Sequence, residues 1–216
     1  MTGLVRKAML LGAAGILIAS AALAGVPSAG NSTVPPCISL VGTAGSPPVS
    51  DAHGTFSVVV RDLANNPLNG ASVVIDLSNA HDLKICNDQN DAGALVNCAA
   101  KTTRKFTDIT GTVSFTVLGG SNGGGNASTL LGGGRIFANG TLIGSPTVSA
   151  FDLDGANGVG VNDLSVWLGD FGTPGNPAFG RSDYDCSGAV GVNDLSVWLG
   201  EFGAGTSLAS CAVSCP

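Results

Sequence analysis

The sequence predicts a mainly β fold, an antiparallel β-sandwich followed by a small C-terminal module with short helices. Three observations predict it. Segments of β-branched and apolar residues alternate with Asn/Pro/Gly turns from Thr55 to Gly144, and no long helical period interrupts them. Nearer the C-terminus an aspartate-studded loop and a Trp-bearing apolar segment are written twice, as FDLDGANGVGVNDLSVWLG from Phe151 to Gly169 and DYDCSGAVGVNDLSVWLG from Asp183 to Gly200. Both copies end in GVNDLSVWLG.

The strands follow in order. TFSVVVRDL from Thr55, the turn ANNPLNG and then ASVVIDLS read as strand, turn, strand. A further strand is expected over Thr112 to Leu118, and GRIFANGTLIG from Gly134 reads as a hairpin with Asn139-Gly140 at its turn. The run from Gly119 to Gly134 lacks the Gly-Lys-Ser/Thr of a phosphate-binding loop and is expected to be a flexible hairpin or loop.

Ahead of the strands, Arg6 and Lys7 precede an apolar run from Ala8 to Leu23 and the small-residue stretch Ala22-Leu23-Ala24, the order of a secretory signal peptide. An uncleaved anchor is the alternative. No later run approaches the roughly 20 apolar residues of a membrane-spanning helix, so the cleaved chain is expected to be secreted or cell-surface and not embedded in a membrane. The expected organisation is a signal peptide at 1–24, the sandwich at 25–149, the acidic module at 150–205 and a Cys-containing tail at 206–216.

The formal net charge of the 216 residues is −6, and the imbalance is local. Gly25 to Ser149 carries seven acidic and six basic residues, whereas Ala150 to Pro216 carries eight acidic residues against the single Arg181. Aspartate concentrated in glycine-rich loops points to cation ligation, and nucleic acid and anionic membranes are poor partners for such a chain. The six cysteines, in an exported chain, suggest disulfides. Cys86 with Cys98 would close a compact loop, and Cys186 with Cys211 or Cys215 would tie the terminus onto the second Asp loop. His53 and His81 are the only imidazoles, and neither H-E-x-x-H nor G-x-S-x-G occurs, so no catalytic role is expected. A paired-carboxylate glycosidase is conceivable, but most of the clustered Asp is taken by the loops.

With Asp152 as position one of a twelve-residue loop, Asp154 falls at three, Ala156 at five, Asn157 at six, Gly158 at seven, Val159 at eight and Asp163 at twelve. The second copy gives Asp183, Asp185, Ser187, Gly188, Ala189, Val190 and Asp194. A hard cation such as calcium takes about six to eight oxygens, and an EF-hand-type loop supplies them from positions one, three, five, seven, nine and twelve. The expected ligands are Asp152, Asp154, Gly158 and Asp163 in the first loop and Asp183, Asp185, Ser187, Ala189 and Asp194 in the second, Gly158 and Ala189 through their carbonyls. Position six must turn sharply, which Gly188 does and Asn157 tolerates. Val159 and Val190 are expected to pin each loop to a core. Ala156 offers no side-chain oxygen, and Gly160 and Gly191 leave position nine to water, so affinity is expected near the weak end of roughly 10⁻⁴ to 10⁻³ M, with the first site weaker. A single Asp-rich loop reads equally well as solvated turn residues; two in register argue for ligation. After each loop, Leu164, Trp167 and Leu168, matched by Leu195, Trp198 and Leu199, recur at i, i+3 and i+4, so a short helix stopped by Gly169 or Gly200 is expected, with the tryptophans in a core.

Two resemblances follow. Val60-Arg61-Asp62, then Asn66-Pro67-Leu68-Asn69-Gly70-Ala71-Ser72-Val73, then Thr107-Asp108 leading through Gly111 to Phe115, resemble the bacterial immunoglobulin-like domains of surface proteins. Such domains space, display or adhere. The duplicated loop with an exiting helix and no entering one, Phe151 to Phe202, resembles the dockerin family, calcium-binding modules that bind cohesin domains and often ride on polysaccharide-degrading enzymes. The resemblance implies two calcium ions and a cohesin-like or other surface protein as partner. Dockerins make such contacts from loop positions ten and eleven, here Val161-Asn162 and Val192-Asn193, and from polar or basic residues further along the helix. The alternative is a structural or adhesive surface subunit in which calcium only rigidifies the C-terminal module.

Overall fold

β-branched residues alternating with polar ones form strands here, and the Asn-, Pro- and Gly-rich segments between them turn. The computed structural model describes residues 25–42, 53–89, 91–121, 133–156, 158–171, 177–204 and 214–215. The expected signal peptide, most of the glycine-rich run and most of the tail lie outside the described residues.

β1 (Cys37–Leu40) opens the fold, and β2 (Thr55–Val59) pairs antiparallel with β7 (Thr112–Thr116), setting Phe56 opposite Phe115. β3 (Ser72–Asp76) is the centre of a five-stranded antiparallel sheet, ordered β10 (Thr141–Gly144), β9 (Arg135–Ala138), β3, β6 (Thr102–Phe106), β5 (Leu95–Asn97). The β9–β10 hairpin turns at Asn139 and Gly140, whose φ values of 45° and 82° match the left-handed pair of a type I′ turn. Val73 and Ile75 of β3 point inward with Ile136 and Ala138 of β9, joining Val58, Val60, Leu77 and Phe115 in one buried core. Each fully buried aliphatic side chain there contributes about 1.5–3 kcal/mol of transfer free energy.

Two features depart from a simple antiparallel sandwich. The strand expected over Thr112 to Leu118 ends at Thr116, and Gly119–Ser121 forms a separate strand, β8, on one side of β4 (Leu83–Cys86). β12 (Ser214–Cys215) takes the other side. The first three residues of the expected flexible run are thus a buried strand. β1 pairs with β11 (Thr147–Ala150) in parallel, an arrangement open to strands so far apart in sequence.

β11 leads without a linker into the first acidic loop at Phe151, and a 3-10 turn at Pro177–Ser182 leads into the second. Helices α1 (Val161–Asp170) and α2 (Val192–Ala204) leave them. Gly169 and Gly200 do not stop these helices as expected, since α1 continues through Asp170 and α2 to Ala204. The buried face also differs from the expected stripe. Asp163, Trp167 and Asp170 are buried in α1, and Asp194, Trp198 and Glu201 in α2, while Leu168 and Leu199 face solvent. A glycine in a helix costs about 1 kcal/mol relative to alanine, a weak preference that tertiary context overrides.

A second core joins the two halves of the chain. Val41, Cys86 and Leu118 of the β part pack with Phe151, Leu153, Val159, Trp167, Tyr184, Val190 and Trp198. Cys37 is bonded to Cys186 and Cys98 to Cys215, and Cys86 is disulfide-bonded as well. The expected Cys86–Cys98 bridge and the tie from Cys186 to the tail are therefore both wrong. The β12 pairing places Ser214 opposite Cys86 and brings Cys215 to Cys98, with Cα atoms 4.8 Å apart. Cys186 instead reaches across 149 residues of sequence to β1.

Candidate metal centre

Each loop is closed by its position-twelve aspartate. Asp163 Oδ1 accepts from the amides of Leu153 (2.6 Å) and Asp154 (2.8 Å), and Oδ2 from that of Gly160 (2.6 Å). Asp194 repeats this, with Oδ1 accepting from Tyr184 (2.7 Å) and Asp185 (3.0 Å) and Oδ2 from Gly191 (2.7 Å). The same carboxylates sit in the first turn of α1 and α2, where the helix dipole favours an anion. A single aspartate thus starts each helix and pulls the loop shut.

The clasp gathers the other acids. Oxygens of Asp152, Asp154 and Asp163 lie within 4.8 Å of one another, and so do those of Asp183, Asp185 and Asp194. Ligand oxygens on opposite sides of a calcium ion, each at about 2.4 Å, are about 4.8 Å apart, so each set has the compass of a hard-cation site. In the second loop the Ser187 hydroxyl donates to the Ala189 carbonyl at 3.0 Å, placing the oxygens of positions five and seven side by side. The first loop has no equivalent, because Ala156 carries no oxygen. Gly158 is buried at position seven with φ 70°, and in the second loop Gly188, at position six, has φ 83°. Asn157 lies outside the described residues.

Burial raises the protonation equilibria of two of these acids, Asp163 and Asp183. Desolvation pushes the Asp163 carboxyl up to about 6 against the amides of Asp154 and Gly160, and the charges of Asp154 and Asp152 add to the rise. Asp183 is raised mainly by burial, with Asp194 contributing. Asp185 is exposed and held below the usual carboxylate value chiefly by its hydrogen bond with Ser187.

Val159 and Val190 are buried, as position eight required. Phe151, just ahead of the first loop, stacks on Tyr184 of the second at 4.6 Å and 7°. Tyr184 Oη donates to the Ala150 carbonyl (2.9 Å) and Trp198 Nε1 to the Phe151 carbonyl (3.3 Å). Gly120 admits this approach from the β side: a Cβ there would lie 3.0 Å from the Asp152 carbonyl oxygen. Both tryptophans are core residues, not platforms for a ligand.

Sequence reasoning missed the residues that anchor the loops. Arg181 grips Asp170 at the end of α1 through Nε (2.9 Å) and Nη2 (3.0 Å), and Ser182 Oγ donates to the same carboxylate at 2.6 Å. Lys84 Nζ of β4 donates to the Gly155 carbonyl in the first loop at 2.6 Å. The available signal was Arg181 as the lone cation of an acidic segment; nothing marked Lys84. His53 meets Phe151 edge-on at 6.2 Å. Compared with protein-family models, curated proteins and solved structures, the chain gives no match.

Proposed function

We propose that this is a secreted, non-catalytic protein in which an immunoglobulin-like β part carries a dockerin-like module that binds two calcium ions and docks an extracellular or cell-surface protein. The observation that carries the reading is the duplicated cluster of three carboxylates, each drawn together by the same position-twelve clasp. All the donors are hard oxygens, the choice of calcium over softer metals. The disulfides favour an oxidising, extracytoplasmic location. A docking role is supported by repeated exposed apolar residues, Val161, Leu168 and Phe171 in one copy and Val192, Leu199 and Phe202 in the other. A link to polysaccharide breakdown rests on the dockerin resemblance alone.

Calorimetric titration of the whole chain should give two calcium ions, falling to one with Asp152→Ala or with Asp183→Ala. No uptake by the wild-type chain would end the proposal. A second reading, a structural or adhesive subunit, is favoured by the disulfide and shared core that bind the module to the β strands. A pull-down of surface proteins with and without chelator separates the two, since only docking requires a calcium-dependent partner.

A further inference from the structure

Position four of each loop is one point at which the acidic module is fastened to the strands. In the first loop it is Gly155, φ 74°, whose carbonyl receives Lys84 Nζ. In the second it is Cys186, φ 62°, bonded to Cys37 of β1. The backbone conformation is shared; the residue is not. Glycine adopts a left-handed φ freely, whereas a residue with a Cβ is disfavoured there by roughly five- to thirtyfold. Cys186 lies between Asp185 and Ser187, and the Ser187 amide donates to both Asp183 (3.0 Å) and Asp185 (2.9 Å). Relaxation of residue 186 to a right-handed conformation would turn Asp185 and Ser187 away from Asp183.

We propose that the Cys37–Cys186 disulfide is a positioning element of the second cation site, holding residue 186 in the left-handed conformation that brings Asp183, Asp185 and Ser187 together. It supplies by a covalent bond what Gly155 supplies by lacking a side chain. The proposal rests on the calcium reading above.

The test uses the full chain and calcium calorimetry on wild type, Cys37→Ala, and Cys37→Ala with Cys186→Gly. Cys37→Ala should weaken the second site about tenfold and leave the first unchanged, and the added glycine should restore the second site to within about threefold of wild type. A disulfide that merely tethered the module would give no rescue by glycine. An unchanged second site in Cys37→Ala, or a double variant as weak as the single one, overturns the proposal while leaving the calcium reading intact. If Cys37→Ala fails to fold but the double variant folds and binds, the proposal stands; if neither folds, left-handed freedom at 186 is insufficient and it is overturned. Wild type that takes up no calcium overturns both.

Discussion

The two acidic loops share a sequence signature and a clasp, yet they are embedded differently. The first follows directly from β11, lies against Gly120, and receives Lys84 at its fourth residue. The second is entered through a 3-10 turn, carries a serine at position five, and is covalently bound to β1. The helices differ as well: Trp198 Nε1 has a carbonyl partner, and Trp167 Nε1, equally buried, has none among the described residues. The carboxylate pattern is the same in both copies, and the surroundings make them unequal.

The largest effect should come from the bond between the repeats. Arg181→Ala leaves Asp170 buried without its cation and should cost about 3–5 kcal/mol, read by chemical denaturation of the metal-free chain. A loss below about 1 kcal/mol would mean the pair does not hold the repeats together.

Next in size is a pH effect centred on the first loop. The folded chain holds the Asp163 proton up to about pH 6, whereas the unfolded chain releases it near 3.8. Its contribution is therefore fully present below about pH 4 and lost as pH rises through about 6, a change of up to roughly 3 kcal/mol in metal-free protein. Calcium takes the carboxylate form, so the stabilisation it confers should grow over the same window. Denaturation at about pH 4.5 and about pH 7, in chelator and in calcium, measures both trends. A chelator profile that rises with pH would contradict the burial assigned to Asp163.

The tryptophans offer a paired test. Trp198→Phe loses a hydrogen bond that Trp167→Phe does not, so it should cost about 1 kcal/mol more in thermal or chemical denaturation. The smallest effect concerns position five. Ser187→Ala should weaken the second site by about threefold to tenfold, and Ala156→Ser should strengthen the first by a similar factor, both read by calorimetry. Equal affinities in wild type would show that this oxygen is not a ligand.

Much of this architecture was legible in the residues. The spacing of Asp152, Asp154 and Asp163, repeated at Asp183, Asp185 and Asp194, placed both carboxylate clusters, because a loop closed on the first turn of its helix is local. Asn139-Gly140 placed a hairpin for the same reason. Helix faces and cysteine partners were not legible. Leu168 and Leu199 fit an apolar stripe by spacing, but Asp170 and Glu201 occupy the buried side, Asp170 held there by Arg181 and Ser182. Cys98 meets Cys215 only because β12 pairs with β4.

The chain by itself determined β2, β3, β7, the β9–β10 hairpin and its two acidic loops, since these depend on backbone preference and on donors and acceptors a few residues apart. Only the tertiary structure decided how the loops are anchored, through Cys37–Cys186, Lys84 to Gly155 and Arg181 to Asp170, and which side of each helix is buried. The two ends of a long-range contact carry no mark of each other, and the shared core alone brings them together.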